Sequence, residues 1–199
     1  MEVVVASSRP NWQPRVFRRF IKNFPTATEV VLVETDQGTG YLKALGNKSG
    51  SHALACEWVG TNLAKLLGLQ TLEFSIIDIA SDDEIPLTSG MRASPGPAFI
   101  TRAEKGNPWG GKEGELDKLA NPEDIGRLVL FDTWVLNCDR YPPDLTARKP
   151  NRDNVFFSRV RAPRGRFLIK AIDHTHCLTC GHDIGVHLAD IENVRDHRI

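Results

Sequence analysis

Asp139, Asn154 and Asp173 are side chains of the types that hold a hard cation and move a proton. Asp139 follows an apolar run ending in Leu136-Asn137-Cys138 and precedes Arg140. Asn154 opens Val155-Phe156-Phe157-Ser158, and Asp173 closes Phe167-Leu168-Ile169-Lys170-Ala171-Ile172. Between them lies Arg161-Ala162-Pro163-Arg164-Gly165, whose proline and glycine mark a hairpin connection. Antiparallel pairing about the middle of that turn sets residues 154 and 173 opposite each other, about 5 Å apart between backbones. An amide oxygen beside a carboxylate, with a second carboxylate on a nearby loop, is a donor set for Mg²⁺ held against nucleotide phosphates. The chemistry this points to is phosphoryl transfer, with Asp139 accepting or orienting the proton of an acceptor hydroxyl. Read singly, Asn154 and Asp173 are hairpin-end turn residues, and Asp139 is a helix-end acid paired with Arg140. An acid at the negative end of a helix dipole is unfavourable, however, which argues for a role.

Lys43 sits inside the apolar strand-like Tyr41-Leu42-Lys43-Ala44-Leu45. The segment after it is helical from Ser51, which can cap it, to Leu67, with Gly68 as its stop. Leu54, Ala55, Trp58, Val59, Leu63, Leu66 and Leu67 cover a broad arc, and Ala53, Gly60 and Ala64 fill most of the rest. A helix apolar on nearly every side is buried on more than one face, so Glu57 within it needs a cation. Lys43 is the nearest candidate, and a strand lysine braced by a helix glutamate is a device for holding nucleotide phosphates. The intervening loop, Gly46 through Ser49 and Gly50 to Ser51, offers backbone N–H groups that can cradle phosphate at a helix start. It matches neither a Walker A sequence nor an ordinary kinase glycine loop.

The elements that must position these groups form an α+β chain. Val30 to Glu34 and Tyr41 to Leu45 flank a hairpin turn, and Leu72 to Ile79 is a further strand. A Gly/Pro-rich stretch from Ser89 to Gly111 marks a boundary between two lobes. Asn121-Pro122-Glu123-Asp124 is a helix start, and the helix it opens runs to about Asn137. Residues 187–199 are weakly helical by pattern. Arg15, Arg18, Arg19 and Lys22 read as a solvated helix face.

Composition agrees with an ordinary folded chain of 199 residues, 41% apolar and 25% charged. A formal net charge of zero gives no global attraction to nucleic acid or an anionic membrane. No apolar run is long enough to span a bilayer, and the cysteine usage fits a reducing cytoplasm. Cys177-x-x-Cys180 with His182 and either His174 or His176 is the rival constellation, zinc-competent but crowded.

Taken in order, several stretches resemble the HipA-like kinases, a branch of the protein-kinase and phosphatidylinositol-kinase-like fold. They are Tyr41-Leu42-Lys43, the helix from Leu54-Ala55-Cys56-Glu57 to Leu69, and Gly96-Pro97-Ala98-Phe99. Leu136-Asn137-Cys138-Asp139-Arg140, Asp153-Asn154-Val155-Phe156-Phe157 and Ala171-Ile172-Asp173-His174 follow. The resemblance implies a bilobed ATP-dependent kinase, with a strand-rich N-lobe over 1–97, a hinge over 98–109 and a short helical C-lobe over 110–199. Lys43 would contact the ATP phosphates, braced by Glu57, with Ala98, Phe99 and Ile100 near the adenine. Asp139 would be the catalytic base, and Asn154 and Asp173 the Mg²⁺ ligands. The phosphoacceptor would be a protein Ser/Thr, with a small molecule or lipid headgroup as the other choice, or the module would bind nucleotide without turnover. Residues 140–153 exceed the family's short spacer, leaving Asn151 as an alternative metal ligand. The short stretch after Asp173 implies a minimal lobe, a fragment, or a partner protein completing it.

Overall fold

Alternating burial organises the first half of the chain. The computed structural model describes residues 12–137, 139–142, 146 and 149–178. Strands β1 (Phe17–Asn23), β2 (Val31–Thr35), β3 (Gly38–Lys43), β4 (Phe74–Ile79) and β5 (Gly96–Arg102) form an antiparallel sheet in the order β1-β2-β3-β5-β4. Val31, Val33, Leu42, Ile77, Ile79, Ala98 and Ile100 turn to one face and build an apolar cluster there with Trp12, Ile85 and Leu87. The period-2 alternation therefore sends Tyr41, Lys43, Phe99 and Thr101 to the other face. Lys43 is directly opposite Phe99, and Tyr41 opposite Thr101.

The basic segment expected as a helix face is instead edge strand β1. Phe17 and Phe20, spaced three apart, both pack on the core because the pairing with β2 shifts register between Phe17 and Arg19 and again between Phe20 and Lys22. Such bulges convert a helix-like spacing into a strand that keeps both rings inward.

Helix α1 (His52–Leu66) follows β3, as expected. Ser51 makes no side-chain cap, and Gly68 ends the helix at φ 78°. Segment 69–72 then runs beside the second sheet, where Ala171 N–H donates to Gln70 O at 2.9 Å and Thr71 bridges Ala171.

That second sheet comprises β6 (Gly106–Pro108), β7 (Val155–Ser158) and β8 (Leu168–Ala171), all antiparallel. Helices α2 (Glu113–Leu116) and α3 (Glu123–Trp134) lie between β6 and β7 in sequence. Phe131, Val135, Phe157, Ile169 and Leu119 form a second apolar cluster with Ala64 of α1. Helix α3 starts at Glu123 with Pro122 at its N-cap, one residue later than expected. The amide of Asn121 bridges instead to β8, donating to Ile169 O at 3.1 Å and accepting Ile169 N–H at 2.9 Å.

The stretch 98–109, expected as a hinge, is strand over most of its length. Ala98 to Arg102 belong to β5 in the sheet interior, and only 103–105 link the two sheets. That link is pinned by Glu104, which accepts from Lys170 Nζ at 2.7 and 2.8 Å and from the Ser158 hydroxyl at 2.6 Å. Among the described residues no helix is long and apolar enough to cross a membrane.

Candidate active site

Lys43 ends β3 on the face away from the apolar cluster, and α1 brings Glu57 to it. The buried face of α1 is Ala53, Cys56, Glu57, Gly60, Thr61 and Ala64, the one-sided spacing of a helix packed along its length. Lys43 Nζ donates to Glu57 Oε1 and, at 3.0 Å, to Asp173 Oδ1. The lysine and glutamate side chains are 10% and 2% exposed, while that of Asp173 is 28% exposed. Asp173 is thus the member of the triad open to a ligand.

The turn carrying Asp173 is bound to the same glutamate. Asp173 has φ 59°, a left-handed conformation that aspartate adopts more readily than most non-glycine residues. His174 N–H donates to Glu57 Oε1 at 3.1 Å. The Thr175 hydroxyl lies 2.8 Å from Glu57 Oε1 and 3.0 Å from Asp173 Oδ1. Its one proton is shared between two carboxylates that would otherwise repel.

Electrostatics follow from this packing. Burial disfavours charge on Lys43, but Asp173 and Glu57 outweigh it and hold the ammonium above the ordinary lysine value. Burial would raise Asp173, and the Lys43 charge with its hydrogen bonds overrides this and holds the carboxyl well below the usual range. Glu57 goes the other way, raised by burial and by the Asp173 charge against the pull of Lys43.

Asp139 and Asn154 meet as neighbours rather than through the hairpin. The observed register pairs Val155 with Ala171, so its continuation sets Asn154 opposite Ile172, one residue short of Asp173. The hairpin centres on Pro163 and not between Pro163 and Arg164, because Ser158 pairs with Leu168 across an odd-length connection. Asn154 Nδ2 donates to Asp139 Oδ2 at 2.8 Å, and Asn151 Nδ2 donates to the same oxygen at 2.9 Å. The local pair of Asp139 with Arg140 is not made. Arg140 instead reaches Asp132, Asn154 O at 3.1 Å and Ile172 O at 2.7 Å, lacing α3 to both strands that carry the site.

A cavity of about 480 Å³ lies between the two sheets. Lys43, Glu57, Asn154 and Asp173 line it, with Phe99, Tyr41, Leu72 and Phe156 as apolar wall. Ala98 and Ile100 do not, since strand alternation turns them into the core behind the sheet. Gly46, Ser49 and Gly50 are also outside it, and the amides of Ser49 and Gly50 are spent within the loop. Ser49 N–H donates to Asn47 Oδ1 at 2.9 Å, and Gly50 N–H to Asn47 O at 3.2 Å. Asp139 is 4% exposed and is not in the wall; Asn154, which is, touches it. The loop joining β1 to β2 does line the cavity, through Phe24, Pro25, Thr26 and Val30. Sequence reading misses it because it carries no glycine signature. The turn chemistry of Pro25-Thr26 between Phe20-Ile21 and Val30-Leu32 was its available signal.

The donor set fits a nucleotide with a hard cation. The amide nitrogen of Asn154 is committed to Asp139, leaving its oxygen without a partner among the described residues. That oxygen and the part-exposed Asp173 carboxylate are hard donors, and Mg²⁺ takes few protein ligands and completes its shell with phosphate and water. Of the zinc-competent set, Cys180 and His182 lie outside the described residues. Cys177 is buried, and burial pushes its thiol up.

Residues 18–184 match the family described as HipA-like kinase. No curated protein matches the chain. A lysine–glutamate–aspartate triad at one end of a cavity between two sheets, and a match across most of the sequence, lead to one conclusion: the chain belongs to the HipA-like kinase family.

Proposed function

We propose that this protein is an ATP- and Mg²⁺-dependent kinase that phosphorylates a hydroxyl, with Ser/Thr of a protein as the acceptor. The observation that carries this is the Lys43–Glu57–Asp173 triad facing the cavity, with Asp173 its most exposed member. Lys43 offers its ammonium to phosphate oxygens while Glu57 holds it in place. The apolar wall of Phe99, Tyr41 and Leu72 suits a planar base. Mg²⁺, held by Asn154 and Asp173, would neutralise charge on the phosphate oxygens. In the transfer, the acceptor oxygen bonds to the γ-phosphorus as the bond to the β–γ bridging oxygen breaks. The hydroxyl proton is assigned to Asp139, and reaching it requires the Asn151 and Asn154 contacts that cover the carboxylate to open.

A second reading is a kinase-like module that binds nucleotide without transfer, and the burial of Asp139 beneath the two asparagines favours it. Incubation with γ-labelled ATP and cell extract separates the cases. Label on a protein band supports the proposal, and label confined to small molecules identifies a small-molecule or lipid-headgroup kinase. Stabilisation by Mg-ATP with no label transferred supports the second reading.

A further inference from the structure

The cavity has a preformed roof whose anchor lies outside the charge triad. The loop joining β1 to β2, residues 24–30, contributes four side chains to the wall and contains no glycine. Kinases commonly cover phosphates with a glycine-rich loop, whose freedom comes from the missing Cβ. Here the loop is closed on itself instead. Phe24 N–H donates to Val30 O at 2.8 Å, Glu29 N–H to Thr26 O at 3.0 Å, and Val30 N–H to Thr26 Oγ1 at 3.0 Å.

Its fixed point is Glu29, which is 1% exposed and has φ 51°. The carboxylate is turned away from the cavity wall and gathers donors from two other segments. Oε2 accepts Lys48 N–H at 3.0 Å, and Oε1 accepts the Thr88 hydroxyl at 2.9 Å and Ser89 N–H at 2.5 Å. The Ser49 hydroxyl adds a bond to Ala27 O at 3.0 Å. Lys48 and Ser49 belong to the loop that leaves Lys43, so one buried carboxylate joins the roof to the strand bearing the phosphate-facing lysine. Burial would raise its pKa, and these donors outweigh burial and lower it. The loop after β3 therefore serves as an anchor for the roof.

We propose that Glu29 is a positioning residue that clamps the 24–30 loop as a preset roof over the cavity. Its effect on ligand affinity rests on the nucleotide reading above; its effect on the loop does not. The test compares wild type with Glu29→Gln, whose amide nitrogen would face a donor. Ser49→Ala serves as the milder variant should Glu29→Gln not fold. Amide hydrogen exchange over residues 24–30 should accelerate at least about tenfold, with the α1 amides unchanged. Kd for Mg-ATP should rise about tenfold, since the cost of ordering the roof moves to the binding step, while kcat at saturation changes less than about twofold. Ser49→Ala should move both in the same direction by less. Unchanged exchange over 24–30, or acceleration spread evenly through the five-stranded sheet, overturns the clamp. So does accelerated loop exchange with an unmoved Kd in a wild type that binds Mg-ATP. If wild type takes no Mg-ATP yet loop exchange is selectively accelerated, the clamp stands and the nucleotide reading falls.

Discussion

Glu57 accepts the backbone N–H of His174 at 3.1 Å, so the helix that braces Lys43 also holds the turn that carries Asp173. One carboxylate oxygen receives the lysine, the amide and the Thr175 hydroxyl. Lys43 and Asp173, proposed above to face phosphate and to bind the cation, are therefore positioned by a single residue of α1.

Removing Lys43 exposes this coupling. Lys43→Met leaves the buried Glu57 facing the part-exposed Asp173 with only the Thr175 proton between them. Breaking one side of such a buried pair costs about 3–5 kcal/mol. Adding Glu57→Gln should return about 1–3 kcal/mol, because the stranded charge is removed. Urea denaturation of the two singles and the double reads the cycle, and additive losses would contradict the coupling.

Close approach of α1 to the Asp173 turn depends on Gly60. A Cβ there would sit 2.5 Å from His174 Cβ and 3.0 Å from its Cγ. Gly60→Ala gains about 1 kcal/mol in helix propensity and loses about 1–3 kcal/mol to overpacking. Net destabilisation is expected, with phosphoryl transfer reduced as Glu57 is pushed from the turn. Gly126 in α3 is the control, with nothing within 4 Å of its would-be Cβ. Gly126→Ala should stabilise by about 0.5–1 kcal/mol. Thermal melts of both variants check the contrast.

Much of the triad was legible because it obeys simple rules. Lys43 alternates with Leu42, and Glu57 lies on the small-residue face of α1, so their pairing follows from burial. The β1–β2 loop was not legible, since bulges disguise β1 and the loop lacks glycines. Composition placed a hairpin between Asn154 and Asp173 but could not set its register, which depends on whether the connection is odd or even in length. The Gly46–Gly50 loop reads as a phosphate cradle because glycine supplies unhindered amides, but the Ser49 and Gly50 amides bond within the loop and that of Lys48 bonds to Glu29. Arg140 read as a local partner of Asp139 because sequence adjacency says nothing about Asp132, eight residues back on α3.

His174 should give stability a pH slope. It is 1% exposed, packs edge-on against Phe131 at 5.3 Å, and neither ring nitrogen has a partner among the described residues. Burial first, then the Arg140 charge, holds its pKa well below the ordinary 6.5. The folded state keeps the ring neutral while the unfolded chain protonates it below that value. Its contribution is therefore intact above about pH 6.5 and lost as pH falls, by up to about 1.4 kcal/mol per pH unit. His174→Phe should flatten that part of the profile, read by urea denaturation from pH 7 to 5. An unchanged slope would contradict it.

Arg140 joins the segments that carry Asp139, Asn154 and Asp173. It is 5% exposed, and its guanidinium reaches three acceptors on separate segments. Arg140→Met leaves Asp132 without this partner and should cost about 3–5 kcal/mol. Arg140→Lys keeps the charge but not the fork, and an intermediate loss is expected. Chemical denaturation ranks the two, and equal stability of Arg140→Lys and wild type would count against the lacing role.

The most direct measurement is transfer of label from γ-labelled ATP by wild type and by Asp173→Asn, both checked for folding by circular dichroism. Asp173→Asn removes one carboxylate charge from the part-exposed end of the triad while keeping its shape. Mg²⁺-dependent transfer by wild type, reduced at least about a hundredfold in folded Asp173→Asn, is the expected result. Transfer that survives in Asp173→Asn at the wild-type rate would contradict the assignment of this cavity as the active site.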